Sequence, residues 1–208
     1  YLDTVDGFIF NSRTTCDSVF HLSPRPRPHV IAPPGGDHRD HRQQWRQERA
    51  TDEEPMRLIY VGLVIRRKGL LPLIEALAQV HTQRWRLDVV GSLKRDRGYA
   101  NRCRKLSDQL GLAPRIRFWG EIADSKLMKL MAEAHLLCMP FAYEGFGITT
   151  AEAMRWGVPA MGSTAGATRE LIDPGENGLL STPATYRASR RHCRNWPPIE
   201  SDCTPWED

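Results

Sequence analysis

From Arg57 onward, short apolar runs that stop at a glycine or proline alternate with longer stretches of helical spacing. RLIYVG (57–62) is followed by KGLLPLIEALAQV (68–80), and RLDVVG (86–91) by a polar helix near 97–110 that stops at Gly111. IRFWG (116–120), a helix over DSKLMKLMAEA (124–134) opened by an Asp/Ser cap, and a strand in HLLCMP (135–140) continue the series. ITTAEAMRWG (148–157) reads as a helix closed by Gly157, and VPAMGS (158–163) as another strand. Brief apolar runs separated by helices predict βαβ units, with strands buried on both faces. The expected fold is α/β, a Rossmann-like doubly wound parallel sheet. Such sheets bind ligands at the carboxyl ends of their strands.

The first part of the chain reads differently. VDGFIFNS (5–12) is expected as a strand, TTCDSVFHL (14–22) as a short helix and HVIAPPGG (29–36) as extended, with Pro24, Pro26, Pro28, Pro33 and Pro34 breaking up the stretch. HRDHRQQWRQERATDEE (38–54) has almost no apolar residues and reads as a linker or exposed helix. TYRASRRHCRNWPPIESDCTPWED (185–208) lacks periodicity and is expected to be disordered or loosely packed. The chain starts at Tyr1 without a basic-then-apolar leader, which reads as a fragment with no secretory signal.

Composition narrows the classes. Of 208 residues 40% are hydrophobic and 26% charged, as in ordinary globular proteins. No apolar run approaches the ~20 residues that cross a bilayer. Cys16, Cys103, Cys138, Cys193 and Cys203 form no CxxC pair, so free thiols and a reducing cytoplasm are expected, with peripheral attachment at the inner membrane face left open. The net charge of +4 hides an asymmetry: residues 1–62 sum to −1, 63–131 to +9 and 132–208 to −4. The basic middle suits an anionic partner, either small-ligand phosphates or a nucleic acid, although charges such as those of RDRGYANRCRK (95–105) read as a solvated helix face.

The informative segment is YEGFGITTAEAMRWGVPAMGSTAGATRELIDPGENGLL (143–180). Gly145, Phe146 and Gly147 separate Glu144 from a helix that carries Glu152. Glycines before a helix let backbone approach a ligand, and first-turn amides have no intrahelical partner. With the positive end of the helix dipole, this makes an anion site of Gly147, Ile148 and Thr149. Two carboxylates beside a phosphate make sense as acceptors for hydroxyls: Glu152 for a ribose diol, Glu144 for a pyranose. Phosphate held by backbone and hydroxyls held by carboxylates is nucleotide-sugar chemistry.

EGFGITTAE resembles the Glu-x7-Glu motif of the retaining glycosyltransferases of the GT-B fold, family 4 or "group 1". The likeness continues through EAMRWGVPAMGS to ENGLL and includes YVGLVIRRKGLLPLIEALA and WGEI (119–122), spanning about residues 57–180. It implies Arg67 and Lys68 as the pair that meets the diphosphate, Glu121 and Ile122 at the base, Gly145, Phe146, Gly147, Ile148, Thr149 and Glu152 on the donor, and Glu144 as the catalytic-site group that positions the sugar. It implies transfer of a hexose from a nucleotide diphosphate sugar, UDP by the family's habit, to an acceptor glycan, lipid or small molecule, with no metal and no cofactor. Residues 1–36 are then expected to be a remnant of the amino-terminal acceptor domain, 37–56 the charged linker, 57–184 the nucleotide-sugar-binding domain and 185–208 a divergent tail. On that reading the missing half is open to supply by another chain, and this chain alone is expected to bind donor weakly and transfer little.

Two departures stand out. Leu63 follows Gly62 where the family often carries an arginine that reaches the phosphates, which shifts that duty to Arg66 or Arg67. The residues after Leu180 also fit nothing in the family. An inactive nucleotide-sugar-binding module is the main alternative; a GT-B sugar epimerase and a nucleic-acid binder explain the motif less well.

Overall fold

A computed structural model describes residues 2–22, 27–35, 54–80 and 84–182. Most of the expected linker and all of the expected tail lie outside the described residues.

The main body is a six-stranded, fully parallel sheet in the order β5-β4-β3-β6-β7-β8. Its strands are β3 (Met56–Val61), β4 (Trp85–Val90), β5 (Ile116–Gly120), β6 (Leu136–Cys138), β7 (Ala160–Ser163) and β8 (Gly178–Ser181). The order reverses between β3 and β6, which makes a doubly wound Rossmann-like sheet with its switch point there. Leu58, Ile59 and Tyr60 of the central β3 are all buried, the signature of a strand covered on both faces.

Helices α2 (Leu70–Leu77), α3 (Arg97–Gln109), α4 (Asp124–Glu133) and α5 (Ile148–Arg155) cover the sheet. Leu70, Leu73, Ile74 and Leu77 of α2 are buried at the spacing of one helix face. Each such side chain contributes roughly 1.5–3 kcal/mol on leaving water. The polar α3 presents only a thin stripe, with Tyr99, Ala100, Cys103 and Ser107 buried. The Leu71 amide donates to Tyr99 Oη at 2.9 Å and ties α3 to α2. Burial pushes the Cys103 thiol up to about 12, so it stays protonated. Cys16, Cys103 and Cys138 are buried, and Met131 and Met139 are core residues.

Ahead of this body, β1 (Phe8–Phe10), α1 (Arg13–Leu22) and β2 (His29–Ile31) form a separate unit. The two strands pair in parallel, and Phe20 of α1 meets Phe10 edge-on at 5.7 Å.

Four local expectations need correction. The expected strand over 5–12 narrows to Phe8–Phe10. The expected helix 68–80 splits into a 3-10 turn, Arg66–Lys68, and α2, because Gly69 between them is left-handed. Asp124 and Ser125 do not cap α4; Ala123 stands at the cap position without a side-chain bond, and Asp124 favours the helix only through its charge in the first turn. ENGLL supplies a further strand, β8, beyond those expected.

Candidate functional site

The switch point brings together the loops that follow β3 and β6. Their contacts form a short ladder. The Ala142 amide donates to the Arg67 carbonyl at 2.9 Å, and Arg67 Nη1 donates to the Tyr143 carbonyl at 2.8 Å. At the next step Lys68 Nζ donates to Glu144 Oε2 at 2.6 Å. The Lys68 ammonium also lies 4.0 Å from the centre of the buried Phe141 ring. Only 15% of the Lys68 side chain and 18% of the Glu144 side chain remain exposed. The pair therefore resembles buried pairs, where losing one partner strands a charge, more than surface pairs of about 0–1 kcal/mol.

Beyond Glu144 the chain passes Gly145 and the buried Phe146 to Gly147, the cap residue of α5. Gly147 is left-handed at φ 100°, which lets the chain turn sharply into the helix. The first-turn amides of Ile148 and Thr149 have no partner within the helix, and the Ile148 side chain is exposed. Glu152 is half-buried one turn further on. The far side of the Glu144 loop is fixed by Gly166, with φ 107°, where an added Cβ would stand 2.3 Å from the Glu144 carbonyl oxygen. The neighbouring Ala167 amide donates to that oxygen at 2.8 Å.

Of the expected site residues, the structure gathers Arg67, Lys68 and Glu144 directly and runs Gly145–Glu152 on from them. Glu121 and Ile122 stand apart, after the edge strand β5 and two strands from β3, with Glu121 exposed and Ile122 packed against the core. Leu63 is exposed on the loop after β3, its carbonyl accepting from Tyr60 Oη at 3.0 Å. His135 is a strand-end residue as expected: its Nδ1 accepts from the Arg57 amide at 2.8 Å. Burial and the Arg57 charge lower its pKa and keep the ring neutral. Among the described residues no three of His, Cys, Asp and Glu converge to hold a metal ion, and no helix there is long and apolar enough to cross a membrane.

Ser12, Thr15 and Glu170 also reach this site and were not expected there. Ser12 and Thr15 donate to the Gly145 carbonyl at 2.6 and 3.0 Å. Glu170 accepts from the Arg13 and Thr14 amides at 3.0 and 2.7 Å. A serine and threonines at a helix start signal only a cap, and nothing local links them to a loop more than a hundred residues away.

The family model described as "Glycosyl transferases group 1" matches residues 41–196. The MMP alpha-(1->4)-mannosyltransferase of Mycolicibacterium hassiacum is 34% identical over 119 residues, covering 56% of this chain and 28% of that protein. The lipopolysaccharide 1,6-galactosyltransferase of Salmonella typhimurium is 30% identical over 140 residues, covering 63% of this chain and 36% of its own length. Anabaena Alr3699/HepE, solved in complex with UDP-glucose, superposes with a TM-score of 0.78 at 25% identity over 91% of this chain and 53% of that one. The chain thus spans about a third of these curated relatives and about half of that solved structure.

Proposed function

This chain belongs to the group 1 glycosyl transferases, and on that premise we propose that it carries the donor site of a hexosyltransferase that retains anomeric configuration. The donor is a nucleotide diphosphate sugar, with UDP as the nucleotide, and the acceptor offers a hydroxyl. The observation that carries the reading is the Lys68–Glu144 pair at the switch point, with the start of α5 beside it.

An ammonium has three N–H donors, so Lys68 can meet a phosphate oxygen while keeping Glu144. That puts the pair at the junction of diphosphate and sugar. Lys68 and the α5 amides of Gly147, Ile148 and Thr149 offset the charge that develops on the leaving diphosphate, a duty that needs no metal ion. Arg67 adds positive charge nearby. Glu144 accepts from sugar hydroxyls and orients the anomeric carbon, and Glu152 accepts from the ribose diol. Glu121 and Ile122, at the sheet edge, lie on the side where the base would extend. Neither glutamate is assigned as a nucleophile. The UDP-glucose bound by the Anabaena protein supports the choice of donor class.

Calorimetry with UDP, GDP, ADP and uridine tests the reading. We expect diphosphates to bind in the high micromolar to millimolar range, about −4 to −6 kcal/mol, and uridine to bind less well. Glu152→Ala should weaken UDP by about 1–3 kcal/mol through lost hydrogen bonds. No difference between UDP and uridine would remove the phosphate site from this crevice.

A further inference from the structure

The loop that carries Glu144 is gripped from two sides. On one side, the Ser12 and Thr15 hydroxyls converge on the Gly145 carbonyl. Ser12 Oγ, fully buried, also accepts from the Thr15 amide at 3.0 Å, so one hydroxyl both caps α1 and holds the loop. On the other side, the Ala167 amide holds the Glu144 carbonyl. Ala167 opens the 3-10 turn Ala167–Glu170, and Glu170 at its end returns to α1 to accept from Arg13 and Thr14. The contacts form a closed ring from α1 through Gly145, Glu144 and Ala167 to Glu170 and back to α1.

We propose that this ring is a positioning device, in which Ser12, Thr15 and Glu170 set the backbone at 144–145 and so aim the Glu144 carboxylate. The proposal rests on the reading that Glu144 meets the donor sugar. Two carbonyls in succession, those of Glu144 and Gly145, are held by groups outside their own loop. That constraint matters because glycines at 145 and 147 give the loop backbone freedom, while a ligand-orienting carboxylate must be held to within about 0.5 Å. The holding groups on one side belong to the β1–α1–β2 unit rather than to the six-stranded sheet. Glu144 therefore answers to the docking of α1: a shift of that helix reaches the carboxylate through two hydroxyls and, by way of Glu170, through the turn that holds its carbonyl. A cap that served stability alone would need Ser12 and Glu170 on α1 but no bond from Thr15 to the loop.

Amide hydrogen exchange on the full chain tests this without any ligand. In the double variant Ser12→Ala/Thr15→Val, and separately in Glu170→Ala, we expect amides of 143–147 to exchange about tenfold faster or more, with β3 and β4 unchanged. Thr15→Ser, which keeps the hydroxyl, should match the wild type. In the same variants the preference for UDP-glucose over UDP should fall, because Glu144 meets the sugar, while Lys68 and the Ile148 and Thr149 amides, which lie outside the loosened segment, keep UDP affinity within about twofold. Unchanged exchange at 143–147 while α1 amides open would overturn the proposal, as would a Thr15→Ser variant as loose as the double variant. An unchanged UDP-glucose preference on a loosened loop would overturn it too. Failure of the wild type to distinguish UDP from uridine would instead be failure of the donor-site reading.

Discussion

Lys68 and Glu144, 76 residues apart, meet at 2.6 Å across the switch point and lock the loop after β3 to the loop after β6. The same ammonium is the candidate partner of the donor diphosphate, so donor binding and the internal pair draw on one charge. Removing either side should therefore have unequal effects. Lys68→Ala should weaken UDP by about 1.5–3 kcal/mol, the range of hydrogen bonds to charged groups, and leave uridine unchanged. Glu144→Gln, which releases the ammonium, should hold or raise the affinity for bare UDP and lower that for UDP-glucose. Calorimetry on both variants decides; equal losses of UDP would show that the two residues do not divide these roles.

Leu63 is exposed at 42% on the loop after β3, one of the two loops that meet at the switch point. Its contribution to the structure is a carbonyl that accepts from Tyr60, which any residue can supply. Leu63→Arg should raise UDP affinity about three- to tenfold, 0.7–1.4 kcal/mol, with the effect shrinking as salt rises. Weaker binding in a variant with unchanged circular dichroism would mean that position 63 does not face the phosphates.

Gly166 packs against Glu144 so closely that no side chain fits, and its backbone is left-handed. Gly166→Ala should destabilise the protein by about 1–3 kcal/mol and displace the Glu144 loop. Urea denaturation with unchanged slope, together with a lost UDP-glucose preference, is the expected outcome. A fully stable variant would contradict the close approach.

Glu170 is subject to opposing influences. Burial raises its pKa, but the Thr14 hydroxyl and amide and the Arg13 amide outweigh that and hold it below the ordinary 4.5. A carboxylate with a depressed folded pKa contributes stability that is present above 4.5 and is lost as pH falls through the folded value. Docking of α1 should accordingly loosen in acid. In Glu170→Gln the pH dependence of stability between about pH 3 and 5 should be flatter than in the wild type. Identical slopes would mean that the carboxylate charge plays no part in the cap.

Much of the architecture was legible from residues alone. A run such as LIYV (58–61) declares a buried strand because a parallel sheet covered on both faces hides consecutive apolar side chains. The spacing of Glu144, the glycines and Glu152 likewise declared a loop entering a helix, since those features depend on neighbours in the chain. What the sequence left open was partnership. Nothing near Lys68 announces that its ammonium rests on Glu144, and nothing in SRTT or in ATRELI announces that Glu170 caps α1 while Ser12 and Thr15 hold Gly145. Strands and helix faces follow from local periodicity, whereas these bonds depend on which loops the sheet order brings side by side. Only the tertiary fold decides that, because a hydrogen bond acts over about 3 Å of space whatever the separation along the chain.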